Sequence, residues 1–191
     1  MTRIAVARAV SIAGHPVVVL PAAASIAAST RGASLQQLRF IAGALAILGI
    51  IALGFSWFQV GTGRWVHVDA SRRGERTSLN AFLAVLLLLS ALLLWVLTRQ
   101  PPMSIGLALS SALVVTALLI ARWVKVSLHT AFATFATMLV WPSTPAVIAG
   151  VAITGVVVWS RLVLGRHVAA DIVAGLLLGL AAGQGYQLWV D

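Results

Sequence analysis

Long apolar runs, separated by short polar or proline-containing stretches, occupy most of this chain and constrain its fold more than any other feature. Six runs are long enough to be membrane helices, since about 20 apolar residues cross the roughly 30 Å of hydrocarbon in a bilayer, and one shorter run completes a seventh. Only 9% of the 191 residues are charged, against roughly a quarter in soluble domains. The sequence therefore predicts one domain, residues 1–191, forming an all-α polytopic transmembrane bundle of six to seven spans. The runs lie at about 7–29, 38–60, 79–97, 103–124, 127–141, 146–159 and 168–189.

The first run leaves its own topology open. Arg3 and Arg8 precede it, as in a signal peptide, but it continues directly into further apolar runs, so we expect it to be retained. His15 and Pro16 lie near its start, and a proline is tolerated inside a membrane helix. We expect His15 to be a polar group at a kink rather than a catalytic residue, and whether this run spans the membrane stays open.

The net charge of +9, from 13 basic and 4 acidic residues, fits either a nucleic-acid surface or anionic lipid headgroups. Because most of the chain is membrane-embedded, we expect lipid phosphate and membrane lipids as partners, and no nucleic acid. The chain has no cysteine, which removes disulfides and thiolate metal sites from consideration.

Counting crossings places three polar stretches, 64–78, 122–129 and 160–171, on one face of the membrane. The hairpins at 98–102 and 142–145 fall on the other face, whether or not the first run spans. Most of the ionisable residues that are not at the N-terminus collect at the first face, so the sequence predicts a polar mouth there. They are His67, His129, His167, Asp69, Glu75, Asp171, Arg72, Arg73, Arg76, Lys125, Arg161 and Arg166.

The stretch 160–171, SRLVLGRHVAAD, carries the most specific pattern in the chain. Ionisable groups at membrane depth are expensive, at about 3 kcal/mol each on insertion scales, so their presence ahead of an apolar run calls for a function. A helix beginning near Arg166 would place His167 and Asp171 one turn apart on the same face. The carboxylate could then hold one imidazole nitrogen and leave the other free as base, nucleophile or ligand.

The arrangement Ser-Arg, five residues, His, three residues, Asp resembles the third signature motif of the type 2 phosphatidic acid phosphatase superfamily at every fixed position. The resemblance implies that His167 is the nucleophile that takes up the phosphoryl group. It implies further that Asp171 orients His167 and that Arg161 binds phosphate. The alternative is a polar junction between two spans in which His167 and Asp171 satisfy each other.

The middle motif of that superfamily, Pro-Ser-Gly-His, is matched in part by Val126-Ser127-Leu128-His129. The resemblance implies that Ser127 binds phosphate and that His129 is the general acid for the departing lipid oxygen. Ser127 is also a suitable helix N-cap, which would turn the positive helix end toward an anion. Leu128 replaces the glycine, so contact between backbone amides and phosphate is less favoured. The alternative is an interfacial serine cap beside a histidine that reaches water.

The first motif, Lys, six residues, Arg-Pro, is absent, and its place is taken by the stretch 69–76, DASRRGER. We interpret this stretch as a divergent version in which Arg73 and Arg76 supply positive charge, with Lys125 replacing the missing lysine. Which of these arginines and Arg72 contacts phosphate stays open. Asp69 and Glu75 are expected to brace the arginines by salt bridges. The alternative is that the arginines set topology or contact anionic lipids.

By resemblance, the chain is expected to be a metal-independent lipid phosphate phosphatase without a cofactor, acting through a phosphohistidine. The substrate class is a polyprenyl phosphate or diphosphate, or a lipid of the phosphatidic acid type. We expect a multi-pass protein of a bacterial plasma membrane with its site at one membrane–water interface. The alternative is a non-catalytic lipid-phosphate-binding or transport protein on the same scaffold; a vanadate-dependent haloperoxidase is disfavoured by the apolar composition. The particular lipid, the side of the membrane and the oligomeric state are left open.

Overall fold

A computed structural model describes residues 2–70, 72–98 and 101–190. Within these ranges the chain forms eight α-helices and no β-strand. The helices are α1 (Arg3–Ala13), α2 (Pro16–Thr30), α3 (Leu35–Gly61), α4 (Arg73–Thr98), α5 (Pro101–Leu119), α6 (Leu128–Leu139), α7 (Thr144–Val163) and α8 (Ala169–Val190).

Five helices, α3, α4, α5, α7 and α8, are long and apolar enough to cross a bilayer, and the bent pair α1–α2 makes up to six. These lengths and compositions are those of an integral multi-pass membrane protein, which confirms the predicted all-α transmembrane bundle. The structure has five to six candidate spans rather than the predicted six to seven, because the shorter predicted span at 127–141 falls on α6. Helix α6 has 12 residues and is about 18 Å long, short of the roughly 30 Å required.

The first apolar run is broken rather than continuous. Helix α1 ends at Ala13, and α2 begins at Pro16 at an angle of 49° to it. Proline fits the first turn of a helix, where its missing N–H has no partner to lose, and the side chain of His15 caps α2 by accepting the N–H of Val17.

The hairpin predicted at 98–102 includes Arg99 and Gln100, which lie outside the described residues. Helix α4 ends at Thr98 on one side of it. On the other side, α5 begins at Pro101 rather than at Met103, because prolines can occupy the first turn of a helix although they cannot continue one.

Helices α6 and α8 run parallel and pack closely. Gly175, Gly179 and Gly183 of α8, spaced one turn apart, face α6. A Cβ atom on Gly175 would lie 2.7 Å from the backbone oxygen of Ser127, and one on Gly179 would overlap the backbone oxygen of Ala131. These glycines therefore allow α8 to approach α6 closely, and the hydrogen bond from the N–H of Ser127 to the backbone oxygen of Asp171 brings the starts of the two helices to the same level.

The three polar stretches meet at one end of the bundle, which we call the site end. Arg166 forms a 3.0 Å ion pair with Asp69, and its backbone oxygen accepts a hydrogen bond from Lys125 Nζ at 2.7 Å. At the opposite end Arg31 donates to the backbone oxygen of Trp141, which follows α6. The three polar stretches therefore meet at one end of the bundle and the turn after α6 lies at the other, as counting crossings predicted.

Candidate functional site

A cavity of about 1260 Å³ opens at the site end and extends among the helices. Its polar part is strongly cationic, with Asp69 as the acidic residue among its described lining. Its remaining wall consists largely of apolar residues of α2 to α5, such as Leu45, Leu83 and Leu107. The basic and imidazole groups that line it are Arg8, Arg31, Arg73, Arg76, Arg122, Lys125, Arg161, Arg166, His15, His129 and His167. Such a cavity suits a ligand with an anionic head and an apolar tail.

The imidazole of His167 is hydrogen-bonded through its Nδ1 atom. Its Nδ1 lies 3.2 Å from the backbone oxygen of Lys125 and 3.3 Å from Oδ2 of Asp171. Both neighbours are acceptors, so Nδ1 carries the ring proton and Nε2 keeps its lone pair. The side chains of His167 and Asp171 are 8% and 10% exposed, which shields the pair from competing water.

The charge state of His167 follows from its surroundings. Burial, followed by the positive charges of Arg161 and Lys125, lowers the pKa of His167 to about 4. Asp171 acts in the opposite direction and only partly offsets this effect. At neutral pH the ring is therefore neutral, which is the form that can attack an electrophile.

Asp171 connects the parts of the site by hydrogen bonds to both its carboxylate and its backbone oxygen. Oδ2 also accepts the N–H of Val168 at 3.2 Å, closing the first turn of α8. The backbone oxygen of Asp171 accepts the N–H of Ser127 at 3.1 Å. The start of α6 is thereby fixed to the start of α8, and the stretches that resemble the middle and third motifs come together.

Arg161, near the end of α7, lines the cavity and has N–H donors available to a ligand. Its Nη1 donates to Ser11 Oγ at 2.8 Å. Its Nε is buried and has no hydrogen-bond partner within the described part of the chain. A guanidinium group with five N–H donors and few protein acceptors is suited to binding an anion.

Lys125 faces the same cavity from the loop before α6. Partial burial, with the nearby charge of Arg76 as the next cause, lowers the pKa of Lys125 from its ordinary value. One of its three N–H groups is used by the backbone oxygen of Arg166, which leaves two for a ligand.

His129 lies in the first turn of α6 and lines the cavity with His167. Its ring meets that of His15 edge to face, with centroids 4.9 Å apart and planes at 87°. Sequence reasoning assigned His15 to a kink and did not place it at the site. The one available signal was a histidine deep in an apolar run, where a polar group is costly.

Ser127 does not sit where the resemblance implied. Its side chain is fully buried, its Oγ lies 3.0 Å from Thr130 Oγ1, and it is not among the residues that line the cavity. It occupies the N-cap position of α6 without a side-chain cap hydrogen bond. The hydroxyl of Ser127 is thus turned into the packed start of α6 rather than toward the ligand space.

The stretch 69–76 divides into cavity-lining and bracing residues. Arg73 and Arg76 line the cavity, whereas Arg72 is not among the described lining residues. Asp69 forms an ion pair with Arg166 at 3.0 Å.

Glu75 differs from expectation, because its carboxylate accepts backbone N–H groups instead of pairing with an arginine. The N–H of Val66 lies 3.0 Å from Oε1, and the N–H of Arg72 lies 3.0 Å from Oε2. Glu75 therefore fixes the loop that leads into α4 and so holds the arginines of α4 in place.

Within the described ranges, no three His, Asp or Glu side chains come together as a metal site. Comparison of the chain with models of protein families, with curated proteins and with solved structures gives no match. Fold and site together define a multi-pass membrane protein whose helices surround a cavity, with imidazole groups and most of the lining cations at its site end.

Proposed function

We propose that this protein is a lipid phosphate phosphatase that works through a phosphohistidine at His167. The observation that carries the proposal is the state of that ring: neutral, held at Nδ1 by Asp171, and lining a cationic cavity in a membrane bundle. A buried imidazole with a free lone pair among cations is arranged for attack on an anionic phosphorus centre.

In the first step Nε2 of His167 attacks phosphorus, a P–N bond forms, and the P–O bond to the lipid breaks. Arg161, Lys125 and the arginines of α4 surround the equatorial oxygens, where charge develops in phosphoryl transfer. His129 gives a proton to the departing lipid oxygen. The negative charge of the bound phosphate favours the protonated form of a neighbouring imidazole.

In the second step water attacks phosphorus, and the P–N bond breaks as a new P–O bond forms. His129, now neutral, takes the proton of that water, and His167 returns to its starting state. The products are inorganic phosphate and a lipid alcohol, or a lipid monophosphate when the substrate is a diphosphate. Asp171 stabilises the positive charge that the ring of His167 carries while it is phosphorylated.

The two-part lining of the cavity supports a lipid as substrate. Its cationic end suits a phosphate or diphosphate head, and its leucine-rich wall suits an isoprenyl or acyl tail. A polyprenyl diphosphate and phosphatidic acid are therefore the first substrates to compare.

The test is phosphate release by the detergent-purified protein in EDTA, with polyprenyl diphosphate and phosphatidic acid as substrates. Wild type should turn over at least one of them, and His167→Asn should lose at least about a thousandfold in kcat/KM, since loss of a nucleophile leaves only binding and charge effects. His67→Asn, at an exposed histidine, is the matched control and should behave as wild type. If wild type releases phosphate from neither substrate, or if the His167→Asn variant is active, the proposal is refuted.

A non-catalytic lipid-phosphate-binding protein is the second candidate, and one observation favours it. The hydroxyl of Ser127 is bonded to Thr130 and does not line the cavity, so the middle motif supplies fewer ligands than the resemblance implies. Binding of vanadate, a phosphate analogue, without release of phosphate from either lipid would decide for this candidate.

A further inference from the structure

The bent pair α1–α2 lies against the site although none of its residues belongs to the stretches that resemble phosphatase motifs. Ser11, one turn before the bend, accepts the Nη1 hydrogen bond of Arg161 at 2.8 Å. His15, at the bend, places its ring edge to face with that of His129. Both residues line the same cavity, so the N-terminal segment contacts two site residues through two separate groups.

The ring of His15 is itself fixed by the backbone. Its Nδ1 accepts the N–H of Val17 at 3.2 Å, and Pro16 restricts the chain between them. Since Nδ1 acts as an acceptor, the proton of the neutral ring lies on Nε2. The imidazole is therefore held in one orientation and one tautomer by the first turn of α2.

We infer that His15 is a positioning residue for His129, so that the bend between α1 and α2 completes the site. The perpendicular ring, 4.9 Å away, restricts rotation of the His129 imidazole and keeps one nitrogen directed at the leaving oxygen. Edge-to-face is one of the favoured arrangements of ring pairs, and small losses of orientation at a proton donor lower the rate. The inference rests on the proposed function, because it requires His129 to act as the general acid.

The variant that isolates the ring contact is His15→Asn. Asparagine is among the best N-cap residues, so it can still accept an N–H in the first turn of α2 while the imidazole is removed. His67→Asn makes the same chemical change at an exposed loop position outside the cavity lining, and serves as the matched control.

Two substrates separate a role through the general acid from a structural one. A lipid phosphate leaves as a poor alkoxide group and needs a proton, whereas p-nitrophenyl phosphate leaves without one. His15→Asn should lower kcat on the lipid phosphate about threefold to tenfold, the range expected for an edge-to-face ring pair, with KM unchanged. The loss on p-nitrophenyl phosphate should be clearly smaller, and His67→Asn should change neither. Equal losses on both substrates, or no loss, overturn the inference.

A second measurement does not depend on turnover. The chain has four histidines, so ¹⁵N-histidine NMR in detergent can follow each ring. His15→Asn should shift the ring-nitrogen signals of His129 and leave those of His67 in place; unchanged His129 signals overturn the inference. If wild type turns over neither substrate, the proposed function fails and the catalytic role of His15 fails with it. If wild type is active and the His15→Asn variant has the same activity, only the role of His15 is refuted.

Discussion

Replacing Asp171 by asparagine removes a charge from the site and keeps the shape of the side chain. In the wild type, Oδ2 of Asp171 receives two hydrogen bonds, from Nδ1 of His167 at 3.3 Å and from the N–H of Val168 at 3.2 Å. The amide oxygen of asparagine can occupy the same position and accept both. The variant therefore tests whether the negative charge matters to the reaction, apart from the geometry that it holds.

The size of the effect follows from the kind of hydrogen bond that is lost. A hydrogen bond to a charged group contributes about 1.5–3 kcal/mol, and a neutral one about 1 kcal/mol. The difference of about 0.5–2 kcal/mol is felt when the ring of His167 becomes positive on phosphorylation. Since about 1.4 kcal/mol is tenfold in rate, kcat/KM should fall about 2-fold to 30-fold.

Asp171→Ala is the companion variant, because it also removes the acceptor for Val168. The hydrogen bond from Val168 is partly buried, and losing such a bond costs about 1 kcal/mol, so this variant should lose some thermal stability as well as activity. Asp171→Asn should stay close to wild type in unfolding temperature in the same detergent. Full activity in Asp171→Asn would refute the charge argument. A loss as large as that of His167→Asn would show that the carboxylate does more than orient and stabilise the ring.

Two further predictions follow from the charge state of His167 and from the contact between α6 and α8. Burial, followed by the charges of Arg161 and Lys125, lowers the pKa of His167 to about 4. We therefore expect kcat/KM to persist down to about pH 5 and to fall near pH 4. A fall in kcat/KM near pH 6.5 that is assigned to the ring of His167 would contradict this argument. In the unfolded chain the same ring takes up a proton near pH 6.5, so the unfolding temperature should drop as the pH falls from about 6.5 toward 4. Gly179→Ala should destabilise the protein by about 1–3 kcal/mol through overpacking against the backbone of Ala131. Gly155→Ala, with open space at its Cβ position, should be neutral or stabilising by up to about 1 kcal/mol; equal unfolding temperatures in the two variants would contradict the close contact.

The membrane spans and the side of each polar stretch could be predicted because both depend on local composition. An apolar run of about 20 residues has few alternatives to a membrane helix, and alternate crossings fix which loops share a face. The pairing of His167 with Asp171 was also predicted from a local spacing of four residues. The structure brings Nδ1 and Oδ2 to 3.3 Å, but α8 begins at Ala169 rather than near Arg166, so His167 makes this contact from just before the helix.

The contact between His15 and His129 and the inward orientation of Ser127 could not be predicted, because each depends on how helices pack against one another. His15 approaches His129 across more than a hundred residues, and no periodicity records such a contact. Ser127 is turned inward by the local hydroxyl of Thr130 and by the approach of α8 at Gly175. A signature motif identifies the residue types at a site, whereas the packing of the next helix decides which of them reach the ligand.

The same packing explains how a helix too short to cross the membrane can carry part of the site. Helix α6, at about 18 Å, is enclosed by longer neighbours and is buried along most of its length. Its start is hydrogen-bonded to the backbone of Asp171, so its level is fixed by α8. The glycines of α8 let that contact continue for three turns. The start of the helix that carries His129 is therefore fixed by a backbone contact with α8, while the orientation of the His129 ring also depends on neighbouring side chains such as that of His15.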